Sequence, residues 1–280
     1  MKTLLDTLNS GTEWLEKRGV EDARRNMQLL LCEVLGFENP MQLYTDFDKP
    51  LQEEELTPLR EMLKQRSQGI PLQHIIGWVE FYKRKFKTDA RGLIPRPETE
   101  ELVDLILASK LPEQARILDV GTGSGVIGLS LAAELSEQGA QITLVDLSPE
   151  ALALAGENAQ SLGVENVTFI QSDLFKSIEG KFDLIVANLP YIPHAESTTP
   201  SVELTHDPAL ALYSGDDGLD LIRVFCAQAK AFLKPSGRVA MEVGIHQDKQ
   251  VEKLLAEGGF SAIYTKRDLN GIARFPFATI

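Results

Sequence analysis

The sequence predicts an α/β protein with two domains, in which a small all-helical domain precedes a doubly wound, mostly parallel sheet. The chain has 280 residues, more than the roughly 150 of one typical domain. Apolar residues recur at helical spacing up to about residue 76. After residue 115, short apolar runs alternate with helical stretches, the pattern of strands joined by crossover helices.

Composition and charge limit the classes of partner. Lys plus Arg number 28 and Asp plus Glu number 41, so the formal net charge is −13. This charge repels nucleic-acid phosphates, and we expect no direct nucleic-acid partner. Cys32 and Cys226 are far apart and lack metal-ligand spacing, which is typical of reduced thiols and of a cytoplasmic protein. The N-terminal stretch lacks the apolar core of a signal peptide, and we expect no membrane partner.

The first third of the chain reads as helices. Met27, Leu30 and Leu31 share one helical face, and Gly36 is a plausible end of that helix. Aromatic and basic residues then alternate over 77–93, as in the strands of a hairpin. The predicted organisation is a helical domain over 1–76, a hairpin connector over 77–104 and the α/β domain over 105–280.

The α/β domain predicts a ligand site at one edge of its sheet. The expected strands are RILDV, QITLVD, VTFIQ, FDLIVAN and GRVAMEV, and the expected helices are 126–137, 149–162, 218–233 and 247–257. A long loop follows FDLIVAN. Ligands of such sheets bind beyond the carboxyl ends of the strands, so the residues after each strand are the functional candidates.

A glycine-rich turn follows the first strand. Asp119 precedes it, and the turn consists of Gly121, Thr122, Gly123, Ser124 and Gly125. Alternate glycines let a ligand lie against backbone amides. A dinucleotide fingerprint would need glycine at 126, where Val stands, and no P-loop is present. The turn alone is a weak signal, since many such matches are only tight turns.

Acids after the next two strands suggest a nucleoside. Asp146 ends the second strand and can accept both ribose hydroxyls, although it can also cap the helix that follows. Asp173 can accept from an adenine amine, and Leu174 offers an apolar wall; the alternative for Asp173 is a simple loop turn. Asp119 is expected near a ligand cation, or else it is a buried structural acid.

The most specific motif ends the fourth strand. The Asn188 side-chain oxygen and the Leu189 carbonyl can hold the two N–H bonds of a planar, weakly nucleophilic nitrogen. Pro190 restricts the direction of that carbonyl, and Tyr191 can stack on the flat substrate group. The alternative is a strand that ends in a proline turn.

These features together favour S-adenosylmethionine (SAM) as cofactor, because a nucleoside site without phosphate ligands adjoins a clamp for a planar nitrogen. Two other functions stay open: methylation of an adenine amine in DNA or RNA, and an inactive SAM-binding scaffold. No metal is expected, because the four histidines form no metal-ligand spacing.

Further motifs carry a resemblance to a known family. They are IPRPETE at 94–100, PLQHIIGWVEFY at 71–82, DPALALYSGDDGL at 207–219 and LKPSGRVAMEVG at 233–244. With NLPY at 188–191, the chain resembles the peptide chain release factor glutamine methyltransferases, also called the HemK type. The resemblance implies a Rossmann-like SAM-dependent methyltransferase fold. It also implies methyl transfer to the Gln amide in the Gly-Gly-Gln motif of class I release factors, which the helical domain helps to grip.

The resemblance also assigns residues. It implies that Gly121 to Gly125, Asp146, Asp173 and Leu174 surround SAM, with Asn188 beside both ligands, and that Asn188 to Tyr191 bind the Gln amide. Arg96, Glu98 and Thr99 would lie at the lip of that pocket, although Arg96 and Glu98 can also be read as a structural ion pair. The family usually has Pro where Leu189 stands. NLPY also occurs in rRNA adenine dimethyltransferases, which lack the helical domain and the IPRPETE segment.

Overall fold

The computed structural model describes residues 2–195 and 206–280. These residues form two compact units, one of residues 2–77 together with residue 206 and one of residues 78–195 and 207–280. Part of the long loop predicted after FDLIVAN, residues 196–205, lies outside the described residues. Among the described residues, no helix combines the length and the apolar character that a bilayer crossing requires.

The first unit is all-helical, as predicted. Its helices are α1 (Leu4–Glu16), α2 (Ala23–Leu35), α3 (Met41–Thr45), α4 (Glu53–Ser67) and α5 (Leu72–Ile76). Thr3 and Asp6 form a capping box at the start of α1, and Gly36 ends α2 with φ +68°. Leucines of α1 and α2 pack into one core, and buried Arg66 donates to Asn26 Oδ1 at 2.7 Å, which joins α4 to α2.

The second unit opens with a two-stranded antiparallel hairpin, β1 (Trp78–Phe81) and β2 (Arg84–Lys87). Phe81 and Phe86 are buried in the same core as helix α6 (Pro97–Ala108). The segment predicted as a connector, 77–104, therefore lies almost wholly in this unit. Buried Asn158 binds the hairpin, because its Oδ1 accepts from Lys87 N at 2.7 Å. Its Nδ2 donates to the Ser124 carbonyl, outside the hairpin, at 2.9 Å.

A seven-stranded sheet forms the centre of the second unit, in the order β5-β4-β3-β6-β7-β9-β8. The strands are β3 (Arg116–Val120), β4 (Gln141–Asp146), β5 (Val167–Gln171), β6 (Phe182–Asn188), β7 (Leu233–Glu242), β8 (Ser261–Arg267) and β9 (Ala273–Thr279). The first five strands in that order pair in parallel, as predicted, whereas β9 pairs antiparallel with both β7 and β8.

Helices cover both faces of this sheet, which makes it doubly wound. The remaining helices are α7 (Val126–Glu134), α8 (Pro149–Leu162), α9 (Asp220–Gln228) and α10 (Asp248–Glu257). One core joins α6, α7 and α8 to one face of the sheet, and the other joins α9 and α10 to the opposite face. Consecutive residues of β6 alternate between the cores: Leu184 and Val186 face one, and Ile185 and Ala187 face the other.

Three helices differ from the sequence-based prediction in their bounds. Helix α7 ends at Glu134, and a 3₁₀ turn over Ser136–Gln138 takes up the rest of the predicted helix. Helix α9 begins two residues late because Gly218 has φ +79°, and its main helix ends at Gln228, before a second 3₁₀ turn. Helix α10 begins at Asp248, one residue late.

Candidate functional site

The carboxyl ends of four parallel strands bring the candidate residues to one edge of the sheet. Asp119 lies near the end of β3, Asp146 ends β4, Asn188 ends β6 and Glu242 ends β7. Asn188 and Glu242 are register partners on adjacent strands. The structure therefore gathers the predicted strand-end residues at the edge where ligands of doubly wound sheets bind.

The glycine turn between β3 and α7 exposes its backbone. Gly121, Gly123 and Gly125 have φ values of +72°, +56° and +85°, which favour glycine at each position. The amides of Gly121 and Thr122 donate to the Val145 carbonyl at 2.8 and 2.9 Å, which fixes the turn against β4. A Cβ on Gly123 would meet no atom of residues 2–195 or 206–280 within 4 Å. The middle of the turn therefore borders open space that a ligand can fill.

Asp119 is buried with one oxygen engaged. Its Oδ2 accepts from Thr122 Oγ1 at 2.6 Å and from Gly128 N at 2.9 Å. Its Oδ1 is buried and has no hydrogen-bond partner among the residues that the structure describes. Burial raises the pKa of Asp119 to about 6. A cation beside Oδ1 would stabilise the charged form, so this site fits a positively charged ligand group.

Asp146 braces the turn from β4. Its Oδ2 accepts from Gly123 N at 2.8 Å, its Oδ1 accepts from Ser148 N at 2.9 Å, and burial raises its pKa. The N-cap residue of α8 is Ser148, which accepts from Ala151 N, and not Asp146. Each Asp146 oxygen keeps capacity for a further hydrogen bond.

Asp173 and Leu174, which follow β5 after Ser172, lie in different environments. Asp173 is half exposed and accepts from Lys176 Nζ at 2.6 Å. Such exposed pairs are weak, so a ligand can displace the lysine. Leu174 is buried with φ +49° and packs in the core formed with α9 and α10. Its side chain is therefore held in place by that packing.

The segment Asn188–Tyr191 lies against the glycine turn. The side chain of Leu189 is buried, and a Cβ on Gly121 would lie 2.9 Å from Leu189 Cδ2. Pro190 is half-buried. The Tyr191 carbonyl accepts from Gln247 Nε2 at 2.9 Å, and burial raises the pKa of the Tyr191 phenol to about 12. These contacts hold the segment beside the turn.

Arg96, Glu98 and Thr99 lie at the start of α6. Arg96 is its N-cap residue, and its Nη2 lies 3.7 Å from Asp207 Oδ2 within the same unit. Glu98 is half-buried in the first turn. Thr99 is 3% exposed, so it lies deeper than the pocket lip where the sequence analysis expected it.

Two residues at this edge escaped the sequence analysis. Glu242 is 2% exposed, accepts from Thr99 Oγ1 at 2.7 Å, and has a pKa raised to about 7 by burial. Gln247 accepts from Gly244 N through its Oε1 while its Nε2 binds Tyr191. The position of Glu242 at the end of a strand, like that of Asp146, was the available signal.

Comparisons with known proteins agree with this fold. The family described as "Methyltransferase domain" matches residues 111–268, and the family described as "PrmC N-terminal domain" matches residues 6–77. A methyltransferase from Pyrococcus furiosus covers 71% of this chain and 89% of its own, with a TM-score of 0.51 at 16% identity. The T. thermophilus 16S rRNA N2 G1207 methyltransferase, in complex with AdoMet and guanosine, covers 72% of this chain and 49% of its own, with a TM-score of 0.53 at 20% identity. The second unit thus contains a methyltransferase domain.

Relatives identify the family more narrowly. The release factor glutamine methyltransferase of Deinococcus radiodurans is 39% identical over 278 residues, which is 97% of this chain and 96% of that protein. The protein of the same name from Geobacter sulfurreducens is 39% identical over 275 residues, 97% of this chain and 95% of that protein. The chain belongs to the release factor glutamine methyltransferase family.

Proposed function

We propose that this protein transfers the methyl group of SAM to the side-chain amide nitrogen of a glutamine in a release factor, specifically the Gln of the Gly-Gly-Gln motif of class I factors. One observation carries the proposal. Asn188–Tyr191, a segment suited to a planar amide, lies directly against a glycine turn suited to SAM. Membership of the family supports the same reaction.

The residues of the strand edge fit SAM, which supplies an electrophilic methyl group when bound. Asp146 accepts from the ribose hydroxyls with its remaining lone pairs, and the glycine turn approaches the ligand through its open backbone at Gly123. Asp119 Oδ1 attracts the ammonium at the methionyl end. Asp173 and Leu174 border the adenine through its amine and its ring face.

The substrate glutamine is held at the end of β6. The Asn188 Oδ1 and the Leu189 carbonyl accept the two N–H bonds of the Gln amide and direct its nitrogen toward the methyl carbon. Leu at 189 supplies this carbonyl as Pro would, and burial of its side chain fixes the backbone there. Tyr191 stacks on the flat amide. Such positioning accounts for up to about 7–11 kcal/mol of the barrier in favourable systems.

The chemical step needs little beyond this orientation. The amide nitrogen forms a bond to the methyl carbon as the carbon–sulfur bond breaks on the opposite side. The attacking nitrogen becomes acidic as the new bond forms, and one N–H proton passes to water. Asn188 and Leu189 hold the N–H groups in line while the charge on nitrogen rises.

Other residues and the first unit serve recognition in this proposal. Arg96 and Glu98, at the start of α6, contact the release factor close to the Gln loop. Thr99 lies buried next to them in the same turn of the helix. The helical first unit helps to grip the release factor, and the second unit receives the Gln. Since release factors act in translation, the protein works in the cytoplasm, without a nucleic-acid or membrane partner.

The proposal is tested by labelling. The protein is incubated with methyl-labelled SAM and, in parallel, with a class I release factor, the same factor carrying Gln→Ala in its Gly-Gly-Gln motif, or rRNA and DNA. We expect label on the first factor alone. Label on the nucleic acid, or equal label on the Gln→Ala factor, would overturn the assigned substrate.

A further inference from the structure

We propose that Thr99 and Glu242 are positioning residues that set the orientation of the Asn188 side-chain amide for catalysis. The inference rests on the proposed function, because it concerns how Asn188 presents its oxygen to the substrate glutamine. Neither residue is required to touch the substrate. Both are buried beside Asn188 and act on its side-chain amide from within the fold.

A short hydrogen-bonded chain connects the three residues. Asn188 Nδ2 donates to Thr99 Oγ1 at 3.4 Å, and Thr99 Oγ1 donates to Glu242 Oε2 at 2.7 Å. The Asn188 amide is also close enough to the Glu242 carboxyl group to act on its pKa, which it lowers against the larger effect of burial. The β6–β7 register places Asn188 beside Glu242, and the first turn of α6 places Thr99 against both. Three separate elements therefore converge on one amide.

The chain matters because an asparagine amide has two chemically opposite ends. Its oxygen accepts hydrogen bonds, whereas its NH₂ group only donates. A flip of about 180° around the terminal bond would turn the NH₂ group toward the N–H bonds of the substrate, where two donors repel each other. The interactions of Nδ2 with Thr99 and Glu242 favour the orientation in which Oδ1 is available. The flipped orientation would place an acceptor against a buried carboxylate and leave buried groups unsatisfied.

Glutamate suits this position better than its amide analogue does. An ionised carboxylate only accepts hydrogen bonds, so it can accept from both the Thr99 hydroxyl and the Asn188 NH₂ group. Gln would place one donor among these groups and allow the Asn188 oxygen to turn inward. Two charged neighbours shift the pKa of the Glu242 carboxyl group in opposite directions. Arg274 of β9 lowers it and so favours the ionised form, whereas Glu98 of α6 raises it. The ionised form thus has a cationic neighbour within the fold.

The test compares hydroxyl deletion with hydroxyl retention at one position. Thr99→Val keeps the shape and removes the hydroxyl, whereas Thr99→Ser keeps the hydroxyl. The matched control is Thr265→Val, which removes a 2.7 Å hydroxyl–carboxylate bond to Glu252 at the α10–β8 contact. Release factor methylation is measured as kcat and KM, and SAM affinity by calorimetry. Loss of an oriented buried hydrogen bond is expected to lower kcat about tenfold or more in Thr99→Val.

The same experiment should leave other quantities unchanged. We expect Thr99→Ser and Thr265→Val to stay within about threefold of the wild-type kcat, and the SAM dissociation constant of Thr99→Val to stay within about twofold. Glu242→Gln should lower kcat in the same way. The double variant Thr99→Val/Glu242→Gln should have about the same kcat as the less active of the two single variants, since both residues act through Asn188.

Three results would overturn the inference. The first is a Thr99→Val variant with wild-type kcat, and the second is a loss of kcat in Thr265→Val equal to that in Thr99→Val. The third is a double variant whose losses multiply. If any of these occurs while the wild-type protein still labels the release factor glutamine, the inference fails and the proposed function stands. If the wild-type protein labels no glutamine, the proposed function itself fails, and this inference with it.

Discussion

Gly121 and Leu189 approach so closely that a Cβ on Gly121 would lie 2.9 Å from Leu189 Cδ2. Gly121 belongs to the turn after β3, and Leu189 belongs to the segment after β6. The proposed cofactor turn and the proposed amide clamp are therefore in direct contact. Their separation is set by the absence of a side chain at residue 121.

We expect Gly121→Ala to weaken SAM binding and to lower kcat as well. The φ of +72° costs an L-residue about 1 kcal/mol or more, and the new methyl group must also displace Leu189. Calorimetry with SAM and release factor methylation measure the two effects. Gly156→Ala in α8 is the matched control, since its Cβ meets nothing within 4 Å, and it should keep both properties. Unchanged SAM affinity in Gly121→Ala would contradict the placement of the cofactor.

Asn188→Ala should remove most of the catalysis and leave SAM binding nearly intact. Without Oδ1, the substrate amide loses one of its two acceptors, and a misplaced nucleophile costs about 100-fold in rate. Single-turnover methylation of a release factor gives the rate, and calorimetry gives the SAM affinity. A normal methylation rate would show that the amide is held elsewhere.

Asp146→Ala should weaken SAM binding about 10- to 100-fold, because it removes hydrogen bonds to a charged acceptor. The same change also releases Gly123 N and Ser148 N, which the carboxylate now holds. Asp146→Asn separates these effects, since it keeps the size and one acceptor oxygen. Its SAM affinity should lie between those of the wild type and Asp146→Ala. Equal SAM affinities in all three proteins would exclude Asp146 from the ribose site.

The raised pKa of Glu242 predicts how stability depends on pH. For an acid whose pKa rises from 4.5 to about 7 on folding, the stabilising contribution is complete below 4.5 and is lost as pH rises to 7. Glu242→Gln cannot ionise, so its Tm relative to wild type should be higher at pH 8 than at pH 5. Thermal unfolding without SAM at both pH values measures this difference.

Glu150→Gln is the control with the opposite sign. The pKa of Glu150 is lowered by a backbone hydrogen bond and by Ser148. Its contribution to stability is therefore present at neutral pH and lost on acidification. Replacing it should lower Tm more at pH 8 than at pH 4. A Glu242→Gln difference of this same sign would contradict the burial of an ionisable group at the end of β7.

Much of the fold was predictable because it follows from local patterns. Helical spacing gave the first unit, and the alternation of apolar runs with helices gave the parallel part of the sheet. The antiparallel end was missed, because β8 and β9 follow one another without a helix between them and part of β8 is exposed. Their pairing depends on contacts across the chain, since β9 lies between β7 and β8.

The positions of several candidate residues were predictable, because they follow strands and carry recognisable chemistry. Asp119, Asp146 and Asn188 all lie at the edge where the sequence placed them. Glu242 was missed because its importance comes from burial beside Asn188 and Thr99, and Thr99 is 143 residues away along the chain. Sequence spacing carries no information about that proximity. Likewise, the role of Gln247 in fixing Tyr191 depends on a turn that only the folded chain forms.

Asn158 links the hairpin to the glycine turn, and this has a consequence for heating. Because one buried amide holds both Lys87 and the Ser124 carbonyl, thermal loosening of β2 removes a support of the turn at the same time. On heating, we therefore expect fraying of the hairpin and weakening of the glycine turn to begin together.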